Sequence, residues 1–165
     1  MVFLSVLWAI VAFRHLKQLK LAVLDQWELV DGDLRKRHDL LPNLIESVRI
    51  YSQAKEDLIE KIIEVRAKAA HEIANTVVKI ELEHELSGLI KVALVLGKEF
   101  AELGRDTNFL ELKTEIEDLA KNVELKVQKY NEMVRYYNGH RKLVFLLPIA
   151  TIFNFKTLNI FEFEG

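Results

Sequence analysis

Apolar residues recur at helical spacing along almost the whole chain, and this persistence limits the fold more than any other feature of the sequence. A first stripe runs Val23, Trp27, Val30, Leu34, His38, Leu41, Ile45, Val48 and Tyr51. A second runs Leu58, Ile62, Val65, Ala69, Ile73, Val77, Ile80, His84, Ser87, Ile90, Leu94 and Gly97. It predicts one helix from about Ala54 to Phe100, about 70 Å long. A third runs Phe109, Leu112, Ile116, Leu119, Val123, Val127, Tyr130, Val134 and Tyr137. Gly104, Asp106, Thr107 and Asn108 interrupt the pattern before it, with Thr107 or Asn108 as the expected N-cap. Only two prolines and six glycines punctuate 165 residues, too few for a fold built of short strands and frequent turns.

Pro42 falls inside the first stripe, where a proline removes one hydrogen bond and crowds the preceding turn. A kink or brief break is therefore expected near Leu41, with Asp39 capping the second segment and Asn43 serving freed backbone groups. Each stripe covers one face, while the opposite face carries spaced pairs such as Asp57 with Lys61, Glu64 with Lys68 and Glu117 with Lys121. Burying one Leu, Ile or Val contributes about 1.5–3 kcal/mol, against about 0.2–0.5 kcal/mol for such a pair, so packing of the stripes decides the fold. The expected class is all-α: an elongated antiparallel bundle of three long helices with coiled-coil-like seams and a short tail. Near-heptad spacing leaves self-association through a residual stripe open.

The N-terminus adds a second constraint. Residues 2–13 (VFLSVLWAIVAF) are apolar apart from Ser5, and Arg14, His15, Lys17 and Lys20 follow. Twelve helical residues reach about 18 Å, against roughly 30 Å for the hydrocarbon core of a bilayer. Extending the run to Leu24 would draw three cations toward lipid, each costing roughly 2.5–3.5 kcal/mol near the bilayer centre. A short transmembrane anchor, a signal peptide and a buried core helix all compete. The positive charge follows the run and no A-x-A site succeeds it, which disfavours a signal peptide. The anchor reading leads, with Trp8, Arg14, Lys17 and Lys20 at the lipid interface, a short outer N-terminus and a cytoplasmic body. The expected division is residues 1–16 as anchor, 17–143 as helical bundle and 144–165 as apolar, aromatic tail.

Composition narrows the chemistry. The formal net charge of −2 comes from 23 basic and 25 acidic residues mixed along the chain, so nucleic acid is not an expected partner. The absence of cysteine removes thiol nucleophiles and cysteine-held metals. Glu81 and His84 form one Glu-x-x-His step, but helical di-metal sites need two, and His84 falls in phase with the apolar stripe. His71-Glu72 meets Asn75 where a zinc protease needs histidine. Glu111, Glu115, Glu117 and Asp118 point in different directions around a helix and read as a solvated face near its N-terminus. No glycine cluster cradles phosphate, and Ser5, Ser47, Ser52 and Ser87 lack an elbow motif. No enzyme activity, cofactor or metal is expected. Arg35, Lys36 and Arg37 read first as solvated charge, then as a contact for lipid headgroups or an acidic partner. Tyr130, Asn131, Tyr136, Tyr137 and Asn138 read first as packing with hydroxyls at the rim, then as a polar recognition face.

Three blocks, 34–46 (LRKRHDLLPNLIE), 108–138 (NFLELKTEIEDLAKNVELKVQKYNEMVRYYN) and 148–165 (PIATIFNFKTLNIFEFEG), together resemble the LemA family. Within them Arg37, Asp39, Pro42, Asn43, Asn108, Phe109, Leu112, Tyr130, Asn131, Tyr137, Asn138, Pro148, Phe155 and Phe161 carry the resemblance. It implies one transmembrane helix with a cytoplasmic helical bundle and no established enzymatic activity. A branch of the family, the MamQ-type proteins, serves in building magnetosome membranes. Two departures stand out: the apolar N-terminus is short, and residues 142–155 (KLVFLLPIATIFNF) are more apolar than the family's usual tail. The functional expectation is a membrane-anchored scaffold or protein-interaction module, with a protein partner of unspecified identity. The alternative is a lipid-organising role in bilayer remodelling.

Overall fold

In the computed structural model, residues 2–51, 55–72 and 76–163 are described. The expected positions Ser52, Ala54, Ile73 and Asn75, and the last two residues of the tail, lie outside them. The described chain is all-helical, as expected: α1 (Val2–Tyr51), α2 (Glu56–His71), α3 (Thr76–Glu99), α4 (Thr107–Arg141) and α5 (Leu147–Ile152), with a 3-10 turn at Leu103–Arg105. The chain forms two compact units. Unit 1 comprises Met1–Val30 and Lys126–Phe161, and unit 2 comprises Asp31–Leu125 and Glu162–Gly165. Helices α1 and α4 contribute to both.

In unit 2 the helix expected over residues 54–100 is instead two helices packed against each other. Helix α2 ends at His71, and the backbone of Glu72 that follows is extended (φ −79°, ψ 99°). The pairs Lys55–Glu99 (3.8 Å) and Lys61–Glu85 (3.0 Å) show that α3 returns antiparallel to α2. A helix of that length with one apolar face would need a partner along all of it, whereas folding back lets each half cover the other. The unit's core combines Leu41, Leu44 and Val48 of α1, Ile59 and Ile62 of α2, Leu86 and Ile90 of α3, and Phe109 and Ile116 of α4. The return also shifts the buried face in the first half of α3: His84 is exposed and Lys79 and Glu83 are buried instead, while Ser87, Ile90 and Leu94 are buried as expected.

No break occurs at Pro42, and α1 is one helix from Val2 to Tyr51. Pro42 cannot donate to the His38 carbonyl one turn earlier. That oxygen accepts a hydrogen bond from Arg66 Nε of α2 instead, at 2.8 Å. Because tertiary contact replaces the lost bond, Asp39 has no helix start to cap and lies exposed, as does Asn43. The cap of α4 also differs from expectation. The Phe109 amide donates to Asp106 Oδ1 at 2.9 Å, so Asp106, with extended backbone, is the N-cap rather than Thr107 or Asn108. At this turn a Cβ on Gly104 would sit 2.2 Å from the Gly97 carbonyl oxygen, and one on Gly97 would strike the Phe109 ring at 2.5 Å. Both glycines are therefore required by close approach.

Unit 1 packs Leu16, Val23 and Val30 of α1 with Val127, Val134 and Tyr137 of α4, and closes with Ile149, Ala150, Phe155 and Phe161. Among the described residues no helix is long and apolar enough to cross a membrane. The expected single-pass helix is therefore not supported: the apolar run stops at Arg14, and the rest of α1 is amphipathic.

Candidate functional site

The chemistry-bearing groups of unit 2 converge on Arg37, which is buried although a guanidinium normally stays at the surface. Arg37 Nη2 donates to Glu83 Oε2 at 2.7 Å and Nη1 donates to Ser87 Oγ at 2.8 Å. Ser87 Oγ in turn donates to the Glu83 carbonyl at 2.8 Å. His38 Nε2 lies 3.2 Å from Glu83 Oε2 and 3.0 Å from Oε1, with hydrogen-bond alignment to the former. The Phe163 ring faces the guanidinium at 5.1 Å. Burial pushes the Glu83 carboxyl up, but the hydrogen bond and charge of His38, and then of Arg37, outweigh it and hold the group below the usual carboxylate range. Burial lowers the Arg37 pKa and the Glu83 carboxylate opposes it. Nearby, the buried Lys79 ammonium bonds Asp31, which also pairs with Arg35 at 2.5 Å. Burial raises the Asp31 carboxyl, and these two cations more than reverse it.

A cavity of about 370 Å³ borders this centre, running along α3 from Ser87 to Lys98 and walled by Arg37 of α1 and Lys113, Ile116, Glu117 and Ala120 of α4. Beside the buried Arg37, the cavity is mainly apolar, with lysines at its edge.

In unit 1 the polar side chains of α4 grip the tail in a repeating pattern. Asn131 Nδ2 donates to the Phe161 carbonyl (2.7 Å) while Asn131 Oδ1 accepts from the Phe161 amide (2.7 Å). Asn138 binds both backbone groups of Leu158 in the same way, at 2.8 and 3.1 Å. Tyr130 Oη donates to the Asn159 carbonyl at 2.9 Å, and Tyr137 Oη to the Lys156 carbonyl at 3.0 Å. Seven helical residues rise about 10.5 Å and three extended residues about 10 Å, so the heptad of α4 matches every third residue of an antiparallel tail. Burial raises the pKa of both tyrosines, keeping them neutral donors, although the Arg141 charge opposes this at Tyr137. Arg141 adds bonds to the Phe155 carbonyl (3.1 Å) and Thr157 Oγ1 (2.6 Å). Trp27 of α1 packs on Tyr130 and on the edge of Phe161, with centroids 5.4 and 5.9 Å apart.

Unit 1 also carries a large exposed apolar patch. On α1, Phe3 (79% exposed), Leu4, Val6, Leu7, Trp8, Ile10 and Val11 face outward. Around α5, Val144 (87% exposed), Phe145, Leu147, Ile152 and Phe153 do the same. The two stretches meet where Phe13 packs on Phe153 and Phe155, at 4.6 and 5.7 Å between centroids. Arg14, Lys17 and Lys142 are exposed and Lys20 half-buried beside them in sequence.

The residues singled out by sequence thus separate into different surroundings. Arg37 is in the charge centre; Phe109 and Leu112 are in the unit 2 core; Asn108 is exposed in the first turn of α4. Tyr130, Asn131, Tyr137, Asn138, Phe155 and Phe161 form the tail contact, while Pro148 starts α5 and is exposed. Sequence reasoning missed Glu83, Lys79, Asp31 and Arg66. The first two and Ser87 are spaced by four, so a polar line on one helical face was visible once the register of α3 was known. Glu81 and His84 are exposed on α3, and among the described residues no three His, Asp or Glu side chains group as metal ligands. The sequence model of the LemA family matches residues 26–165. Comparison with curated proteins gives no match.

Proposed function

The chain belongs to the LemA family, and from that premise we propose that it is a non-catalytic helical module that settles on a lipid bilayer through the apolar patch of unit 1. The observation that carries this reading is the clustering of exposed Phe3, Leu4, Val6, Leu7, Trp8, Ile10 and Val11 with exposed Val144, Phe145, Leu147, Ile152 and Phe153, joined through the Phe13 ring and flanked by cations. Contiguous apolar surface of this kind marks a lipid or protein contact. The commitment to lipid rests on the cations: Arg14, Lys17, Lys20 and Lys142 would meet anionic headgroups while the apolar side chains enter the acyl boundary. An interfacial seat asks for a burial depth of only about 5–10 Å, which the run of about 18 Å satisfies without spanning. The anionic surface of the cytoplasmic leaflet suits this collar best.

Held there, unit 2 would present a rigid surface to a protein partner, which is the scaffold role. A non-catalytic reading is supported by the fate of the buried carboxylate of Glu83, whose Oε2 is taken up by Arg37 and His38 and whose charge is matched by the Arg37 guanidinium. Shallow insertion into one leaflet also supports bilayer remodelling as the second reading.

Flotation of the full chain with vesicles tests the seat. Vesicles containing an anionic lipid should carry the protein to the top of the gradient, neutral ones less so, and Val144→Asp with Phe145→Glu should release it. Protein that stays at the bottom with anionic vesicles, or a variant that floats unchanged, would overturn the reading. Tubulation of the same vesicles would favour remodelling over a scaffold.

A further inference from the structure

The cavity beside Arg37 combines three properties that belong together in a binding site rather than in a packing defect. Its walls are apolar: Ile90, Leu94 and Val95 from α3 face Ile116 and Ala120 from α4. Its volume of about 370 Å³ falls within the range of small-molecule sites, about 300–1,000 Å³. Its charge is mostly of one sign, since Lys91, Lys98 and Lys113, with Arg37 already paired to Glu83, line it against the single carboxylate of Glu117. Lys113 holds Glu117 only loosely, at 3.8 Å, and Lys91 and Lys98 make no ion pair among the described residues.

Arg37 supplies the independent observation. Its two terminal nitrogens are committed to Ser87 and Glu83, but its Nε–H is buried without a hydrogen-bond partner, as is Glu83 Oε1 on the paired carboxylate. A buried charged donor left unpaired costs more than a neutral one, so such atoms call for an explanation. We infer that this cavity binds a short single-chain anionic amphiphile, its carboxylate or phosphate head at the Arg37, Ser87 and Lys91 end and its hydrocarbon chain along Leu94, Val95 and Ile116. The head would accept from Arg37 and Lys91, and charge-assisted bonds of this kind are the strong ones. The chain would displace water from an apolar trough without stranding any polar group. The lysines farther along lay their aliphatic stems beside it and keep their ammonium groups in water. This site lies wholly in unit 2 and is independent of the bilayer seat proposed for unit 1.

Calorimetric titration of the full chain with monomeric decanoate and decyl phosphate is the test, with decanol, decyltrimethylammonium and inorganic phosphate as comparison probes. One saturable site for either anion, at least about tenfold tighter than for the alcohol or the cation, is expected. Lys91→Gln, at an exposed position, should weaken it by about tenfold, and Ala120→Phe should fill the trough and abolish it, both with unchanged helix content. Preference for the phosphate head identifies a phospholipid fragment as the natural class, and preference for the carboxylate a fatty acid. No saturable binding, equal binding of decanol or decyltrimethylammonium, inorganic phosphate binding as tightly as decyl phosphate, or binding that survives both substitutions would each overturn the assignment.

Discussion

Unit 2 and unit 1 are secured by different means. Unit 2 buries charge: Arg37 with Glu83 and His38, and Lys79 with Asp31, all sit in or against its core. Unit 1 buries no carboxylate among its described residues and closes instead through neutral amides and hydroxyls that bind the tail's own backbone. The difference teaches what each can respond to. A buried ion pair is sensitive to loss of one partner and to protonation, because the remaining charge has no water to fall back on. An amide paired with a backbone group titrates nowhere in the ordinary range and is insensitive to salt.

The largest effect should come from splitting the charge pair. Glu83→Ala is expected to destabilise unit 2 by about 3–5 kcal/mol, read as a shifted urea midpoint. Pairing it with Arg37→Met should recover much of the loss, since the orphaned guanidinium is then gone; a double variant as weak as the single one would show that the pair is not the cause. Next comes pH. The Glu83 carboxyl lies below its ordinary value of 4.5, so its stabilising contribution is full above that pH and is lost as the pH falls through the depressed value. Hydrogen exchange in α3, corrected for intrinsic rates, should accelerate on acidification, and Glu83→Gln should flatten that response. The tail amides of residues 156–161 should keep their protection through the same range, and equal loss in both units would erase the contrast.

A smaller, local effect should follow from the tail contact. Asn131→Ala or Asn138→Ala removes two hydrogen bonds to one tail residue, and an unmet buried group costs roughly 1–3 kcal/mol. Exchange should rise over residues 155–161 and remain unchanged in α2 and α3. If the tail stays protected in both variants, aromatic packing of Phe155 and Phe161, not the amide ladder, holds it. The smallest change should come from Lys61→Ala, which breaks an exposed pair with Glu85 worth at most about 1 kcal/mol. A larger loss would place surface charge among the determinants of unit 2.

How much was legible follows from what kind of interaction each feature depends on. The helical class, the end of α1 and both ends of α4 to within a few residues, and the identity of the family blocks were readable, because 3.6-residue periodicity and punctuation by glycine and proline are local properties. The return of α3 onto α2 was not, since an apolar stripe whose phase continues from one helix into the next looks the same on paper as one long helix. At Pro42 the lost hydrogen bond is legible but the continuity of the helix is not, because the donor that replaces the bond, Arg66, comes from another helix. The Tyr130, Asn131, Tyr137 and Asn138 group was readable as spaced polar residues, yet its partners are main-chain atoms, which leave no signature in side-chain identity.

By itself, then, the sequence determined that this chain is helical, that it has one-sided helices needing cover, and that an apolar run at residues 2–13 is followed by charge. Only the tertiary structure decided which polar residues are buried together, where the tail binds, and that Arg37 borders a cavity with a donor to spare. Periodicity is written in neighbours three or four residues apart, whereas the meeting of Arg37 with Glu83 joins positions 46 residues apart and depends on how the helices between them turn.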